Sequence, residues 1–393
     1  MKILFSGGHV FDGTETLLQN HNVMVESGHV TRVAPASEFN GYDGNKFDLD
    51  GGTMMPGLID CHVHLTSGAE PNPRAVRKML NDAQVTLKTL QNAQTTMKGG
   101  VTAVRDCGGQ KFLEFAVRDA IQAGVFLGPT IRAVGHMICM TGGHGSEMGR
   151  VADGADEVIK AVREQIHAGC DQVKIMATGG VMTPGVDPED AHYSAEEMAA
   201  GIAEGHRFRK KSASHAQGAQ GILNAVLGGV DSIEHGIFMD DRCLEEMLRR
   251  GTYLVPTLAA VTCILDNAAN GIPDYVVEKS QRVVERHKKA IKMFYDAGGK
   301  IAMGTDAGTP FNMHGANTRE LEYMVEVGIK PIDAIRSATT TAAELLDLDK
   351  QGRIAEGAEA DFLIVKGNPI EDITNVSRRE NHMAVFKGGV QAI

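Results

Sequence analysis

An excess of positive charge is absent from this chain, which sets 39 Lys and Arg against 50 Asp and Glu for a formal charge of −11 over 393 residues. That absence argues against a nucleic-acid partner, because no stretch offers a phosphate-neutralising surface. The opening MKILFSGGHVFDG has one early lysine and a short apolar stretch broken by Gly and Asp. Neither a secretory leader nor a membrane span is expected from it, and the cytoplasm is the expected compartment. No CxxC pair occurs among the six cysteines, Cys61, Cys107, Cys139, Cys170, Cys243 and Cys263, as is usual for free thiols in a reducing compartment. Tryptophan is missing while methionine numbers 19, so the walls of any pocket are expected from Met, Leu and Phe. A glycine-rich dinucleotide turn is also absent, which speaks against a doubly wound nucleotide-binding sheet.

What is present is ordinary globular composition, 42% hydrophobic and 23% charged, enough to bury a large core. Both ends read as short strands between Gly/Asp turns: KILFSGGHVFDG, HNVMVESGHVTRVAP and KFDLDGGTMMPG at the start, GRIAEGAEADFLIVKGNP and HMAVFKGGVQAI at the close. One small β-sandwich domain assembled from both termini, 1–55 with 351–393, is expected.

Between the ends, strand-like runs alternate with helical periods, the pattern of a parallel sheet with crossover helices. The strands are MMPGLIDCHVHL, VTAVRDCGG, TIRAVGHMI, QVKIMATGG, SASHAQG, SIEHG, YLVPTLA and KIAMGTDAG. Helices are expected at roughly 74–99, 111–123, 155–169, 195–210, 218–228, 240–250, 274–298 and 317–347. Eight such units point to an α/β fold in which 56–350 forms a (β/α)8 TIM barrel, whose catalytic groups gather at the carboxyl ends of the strands.

The unusual polar residues fall at those ends. His62 and His64 close the first run as HVH, and a spacing of two on a strand sends both rings to one face, half of a metal site. Lys174 lies in an apolar strand, where an unpaired ammonium is costly. Either a carboxylate pairs with it, or the neutral amine takes up CO2 and becomes a carbamate able to bridge two cations. His215 and His235 end the next runs, as core histidines or as ligands. Asp306 ends the last, as a helix N-cap or as a ligand. The order His-x-His, Lys, His, His, Asp, one group per strand end, favours the metal reading.

This series resembles the amidohydrolase superfamily, in its binuclear branch, on PGLIDCHVHL, VKIMATGG, SASHAQG, SIEHG and MGTDAG. The terminal β-segments are similar to its small composite domain. The resemblance implies two divalent metal ions, zinc above all, although nitrogen and oxygen ligands of this kind also accept manganese, cobalt or iron. His62, His64 and Asp306 would hold the more buried ion, His215 and His235 the more exposed one, and the Lys174 carbamate would bridge them. Asp306 would also take the proton of the activated water and pass it to the leaving amine.

The loops carry less. Within the superfamily the chain looks closest to prolidase-like dipeptidases and related N-acyl amino acid hydrolases, which implies that His144 in CMTGGHGSEMGR contacts the substrate. A dipeptide or N-acyl amino acid is the expected partner, with cyclic amides, ureas or carbamates as the alternative. TGGVMTPGVDPEDAHYSAEE reads as a mobile lid. Tyr193 in it would donate to the oxyanion, while Ser194 and Glu197 form a capping box. His192 and His136 are weaker catalytic candidates than Tyr193, His314 reads as a loop residue near the substrate, and Arg105, Asp106 and Arg132 near strand ends are candidate partners behind the metal-bound imidazoles. The segment TLAAVTCILDNAANGIPDYVVEK fits an overhang of the site or a subunit contact, and a homo-oligomer is expected. A rival of another class, a ligand-binding barrel with structural histidines, predicts no stoichiometric metal.

Overall fold

The computed structural model describes residues 2–14 and 17–393. The strand Phe362–Val365 lies antiparallel on Thr53–Pro56, with Phe362 opposite Pro56 and Val365 opposite Thr53. Late and early chain therefore share a six-stranded sheet, which also holds His9–Phe11, Leu17–Gln19, His382–Lys387 and Val390–Gln391. A four-stranded sheet contains Lys2–Ser6, His21–Glu26, His29–Pro35 and Lys46–Asp48. Phe5, Val10, Val23, Leu49, Met54, Phe362 and Phe386 from both sheets form one buried cluster. Phe5 meets Phe386 edge-on at 4.9 Å, a favourable aromatic geometry.

Two parallel sheets make up the middle of the chain. One carries Leu58–Val63, Val101–Asp106 and Thr130–Ala133; the other carries Arg150–Val151, Ile138–Cys139, Val173–Met176, Ser212–Ala216, Ser232–His235 and Tyr253–Val255 in that order. These strands are nearly all buried, as sheets covered by crossover helices must be.

The eighth expected strand, KIAMGTDAG, is not regular. Its residues bridge Leu254 at Ile301 and Val63 at Ala307. Between these, Ala302 N donates to Leu254 O and Cys61 N to Met303 O. The segment thus lies between Tyr253–Val255 and Leu58–Val63, and it breaks from strand geometry where Asp306 adopts φ +59°. Gly304 permits the close fit, since a Cβ there would fall 2.9 Å from His62 Cβ and 2.3 Å from a Val255 methyl.

Most helices begin and end near the expected positions. The stretch 74–99 splits into Pro73–Arg77 and Asp82–Lys98, and 317–347 into Arg319–Glu326, Pro331–Ser337 and Thr340–Leu346. Leu258–Asp266 forms a helix that periodicity left undecided. Ser194 and Glu197 do form the expected capping box. No helix among the described residues is long and apolar enough to cross a membrane.

Candidate metal centre

Five imidazoles form a continuous run at the ends of the parallel strands. Ring centroids lie 5.5 Å apart for His64 and His62, 5.2 Å for His62 and His235, 4.6 Å for His235 and His215, and 4.4 Å for His215 and His144. These rings, with Lys174 and Asp306, line one cavity of about 160 Å³. The series expected from the strand ends is therefore gathered in one place.

The second nitrogen of each ring is tied down, and the acceptor identifies the tautomer. His64 Nδ1 lies 2.8 Å from Gly108 O and His215 Nε2 lies 2.8 Å from Gly179 O. A carbonyl only accepts, so those nitrogens carry the protons. His62 Nδ1 donates to Glu234 Oε2 at 2.7 Å. His235 Nδ1 lies 2.7 Å from Thr257 Oγ1, whose own proton goes to Pro256 O; the hydroxyl must then accept from His235. His62, His64 and His235 accordingly offer a bare Nε2 and His215 a bare Nδ1. Burial first, then Lys174 and neighbouring imidazoles, holds the pKa of His62, His215 and His235 well below the ordinary range. Neutral rings are what a cation requires.

Asp306 Oδ1 stands 3.5 Å from His62 Nε2 and 3.3 Å from His64 Nε2. Burial alone would raise its pKa, but its interactions with the facing His62 and His64 rings and with Lys174 outweigh that and keep it low. No helix begins behind Asp306 before Arg319, so the N-cap alternative is set aside. The ligand-type atoms of His62, His235 and Asp306 fall within 4.8 Å of one another. His235 shares a positive φ, +73°, with Asp306, a backbone state that costs energy and persists where surrounding structure over-determines it.

Lys174 Nζ is buried and has no hydrogen-bond partner among the described residues, and the same holds for Asp306 Oδ1. No carboxylate pairs with the ammonium among the described residues, so the salt-bridge alternative fails. Two orphaned groups of opposite kind in one cavity are the donor set that cations, and a carboxylated Lys174, would satisfy.

Support comes from Arg105 and Asp106, expected as partners behind the ligands, and from Glu234 and Asp60, which strand-end reasoning missed. Glu234 is fully buried and accepts from His62, from Arg105 Nη2 at 2.7 Å and from Ser232 Oγ at 2.7 Å. Arg105, also fully buried, reaches Cys61 O as well. A glutamate one residue before His235 on a strand buried on both faces was the available signal. Asp60 accepts from His62 N, Thr305 N, Thr305 Oγ1 and Asn317 Nδ2, tying the first strand to the Asp306 segment. Asp106 accepts from Leu65 N and Gly108 N, which shapes the loop carrying the His64 acceptor.

His144 lines the cavity and hydrogen-bonds Thr183 Oγ1 at 2.8 Å. Burial, with His192, Lys279 and Lys174 nearby, pushes its pKa down to about 3. Gly180 makes room for it, since a Cβ there would lie 2.7 Å from His144 Nε2. Tyr193 is a correction: its hydroxyl donates to Ala152 O at 2.7 Å and the residue does not line the cavity. The chain turns at Ser194 into the next helix, which carries the phenol away from the mouth.

The expected lid is likewise strapped down. Lys279 Nζ donates to Thr183 O at 2.8 Å and Val186 O at 2.6 Å, Tyr275 OH to Met182 O, and Arg282 to Asp187. The helix Leu258–Asp266 overhangs the site, lining it with Ala260, Val261 and Ile264. His136 stacks on Phe112, His314 hydrogen-bonds Ser67 O, and Arg132 reaches Asp347 O. His192 packs beside Gly143. None of these four lines the cavity.

Residues 53–392 match the Amidohydrolase family. The chain is 31% identical to ochratoxinase of Aspergillus niger over 376 residues, covering 86% of this chain and 75% of that one. It is 25% identical to imidazolonepropionase of Chromobacterium violaceum, covering 96% and 92%. A crystal structure of a Xaa-Pro dipeptidase with methionine bound in its active site superposes with a TM-score of 0.92 at 34% identity, covering 100% of this chain and 99% of that one.

Proposed function

The chain belongs to the amidohydrolase family and is a hydrolase of C–N bonds. From that premise we propose that it cleaves the amide of a small dipeptide of the Xaa-Pro type, or of an N-acyl amino acid. We also read 56–350 as a closed (β/α)8 barrel, with 1–55 and 351–393 as its β-sandwich partner. The bridges that the 301–307 segment makes on both sides support closure.

The observation that carries the function is the meeting of oriented imidazoles with two orphaned groups, Lys174 Nζ and Asp306 Oδ1. His62, His64 and Asp306 would hold one divalent cation, His215 and His235 a second, most simply zinc, with Lys174 between them. The Lys174 amine, adding to CO2 with loss of one proton, becomes an N-carboxylate that supplies the missing anionic oxygens. Such cations, when bound, lower the pKa of water toward ~7 and polarise a carbonyl.

The chain's own groups do the rest. Asp306, kept anionic by its neighbours, accepts the proton of the attacking water at its free oxygen and delivers it to the leaving nitrogen. His144, neutral and beside His215, hydrogen-bonds the substrate carbonyl or carboxylate. Val181, Met182, Ile237, Val261 and Ile264 exclude water and receive apolar substituents. The Xaa-Pro dipeptidase likeness supports a dipeptide; the imidazolonepropionase likeness supports a second reading, a cyclic amide, urea or carbamate.

Elemental analysis and a substrate panel test this. The expected result is ~2 equivalents of metal per chain and release of amino acids from Xaa-Pro, Xaa-Arg or N-acyl amino acids. Turnover of a cyclic amide alone would replace the dipeptide reading with the second one. A metal-free protein that binds without hydrolysis would overturn both.

A further inference from the structure

The cavity that holds the candidate metal centre contains a cation the protein does not neutralise. Pro73, Arg74 and Arg77 of the short helix Pro73–Arg77 line it, and Arg74 is paired with Glu147 from the loop after the third strand. Glu147 and Asp306 are the only carboxylates lining the cavity among the described residues. The first is paired with Arg74, and the second stands among the candidate ligands, 3.5 Å from His62 Nε2 and 3.3 Å from His64 Nε2. Arg77 is half-buried and has no hydrogen bond, ion pair or ring contact with the described residues.

We propose that Arg77 anchors a carboxylate of the substrate, so that the cavity selects amides whose leaving part ends in a free acid over their neutral counterparts. This rests on the amide-hydrolase reading above and names the group by which that site chooses among amides. A guanidinium presents a planar fork matched to a carboxylate, and a half-buried charge without a counter-ion gains most from one that arrives with the ligand. Burial, then the like charge of Arg74, lowers the pKa of Arg77, as expected for a cation short of negative neighbours. The other cationic side chains of the lining are Arg74, paired with Glu147, and Lys174, which lies at the candidate metal centre, while Val181, Ile237, Val261 and Ile264 are apolar. Arg74 cannot serve without releasing Glu147. The assignment gives Arg77 a positioning role in contact with substrate and no part in the bond-breaking step.

The test uses metal-loaded protein and matched ligands differing only at the terminal group. Methionyl-proline and methionyl-prolinamide are compared in wild type, Arg77→Met and Arg77→Lys. The expected result for Arg77→Met is a rise in KM for the acid of about 30-fold or more, with kcat little changed and the amide unaffected. Arg77→Lys should restore part of the loss, since it keeps the charge without the fork. Calorimetry with a non-hydrolysable analogue, the same dipeptide with its scissile carbonyl reduced to a methylene, in acid and amide forms, reads the preference without turnover. Wild type should bind the acid form at least tenfold more tightly, and Arg77→Met should abolish that margin. An equal loss on acid and amide, or no acid preference in wild type, overturns the assignment. If wild type hydrolyses neither dipeptide yet keeps the acid preference in calorimetry, Arg77 stands and the dipeptidase reading is what fails.

Discussion

Glu234 Oε2 receives the Nδ1 proton of His62 at 2.7 Å, and its other oxygen is held by Arg105 and Ser232. One carboxylate thereby decides which nitrogen His62 shows to the cavity. Replacing Glu234 with Gln removes the charge and keeps the shape. Metal affinity should fall about 10- to 100-fold, the usual effect of losing a partner behind a ligand, measured by competition with a chromogenic chelator. Unchanged affinity would mean that the tautomer is set elsewhere.

Lys174 makes no hydrogen bond with the described residues, so its replacement by Met should leave the metal-free chain at least as stable, as judged by its melting temperature. Activity should drop by more than the ~100-fold expected of a supporting residue, and metal content should fall below wild type. A variant that keeps both metal and turnover would leave Lys174 no place at the centre.

Asp306→Asn preserves volume and removes the proton acceptor. A fall in kcat of about 100- to 10,000-fold, the range for general acid–base groups, is expected with the circular-dichroism spectrum unchanged. Substantial kcat in this variant would rule out proton transfer through Asp306.

Tyr193 gives a contrasting case. Because its hydroxyl is spent on Ala152 O, Tyr193→Phe should leave kcat/KM as it is and cost about 1–3 kcal/mol of stability, through the buried carbonyl it leaves unsatisfied. A large loss of kcat without loss of stability would return it to the catalytic set.

Glu114 is fully buried, and neither of its oxygens has a hydrogen-bond partner among the described residues. Burial, aided by the nearby Asp106 and opposed by Arg118, pushes its pKa up to about 8, against about 4.3 in an unfolded chain. The folded state therefore holds the proton more tightly, so this group's contribution is full at acid pH and is lost as pH rises through that window. Glu114→Gln lacks the titration. Its melting temperature should gain on wild type between pH 5 and pH 8, and a constant difference would contradict the assignment.

The ligand series was legible because strand periodicity and chemistry coincide: His62, His64, His215 and His235 each end an apolar run, and a histidine or lysine there is conspicuous. Glu234 was hidden by the same logic, since it sits beside a more obvious neighbour and its meaning depends on Arg105, distant in sequence. Tyr193 misled because its loop has the glycines of a lid, whereas Lys279, Tyr275 and Arg282 on the long helix Asp274–Asp296 fasten that loop. Such fastenings are long-range and leave no local pattern. The irregular segment at 301–307 looked like a strand because its composition is that of one; its departure comes from the turn at Asp306 and the close fit at Gly304.

The pairing of Phe362–Val365 with Thr53–Pro56 has a bearing on how the molecule comes into being. Thr53–Pro56 runs directly into the strand that bears His62, so the footing of the centre depends on a partner that follows every candidate ligand in sequence. A chain that stops short of Phe362 holds all the candidate ligands yet has no settled base beneath the first of them. The site is thus completed only by a contact between segments far apart in sequence, and removing Phe362–Val365 should loosen it from a distance.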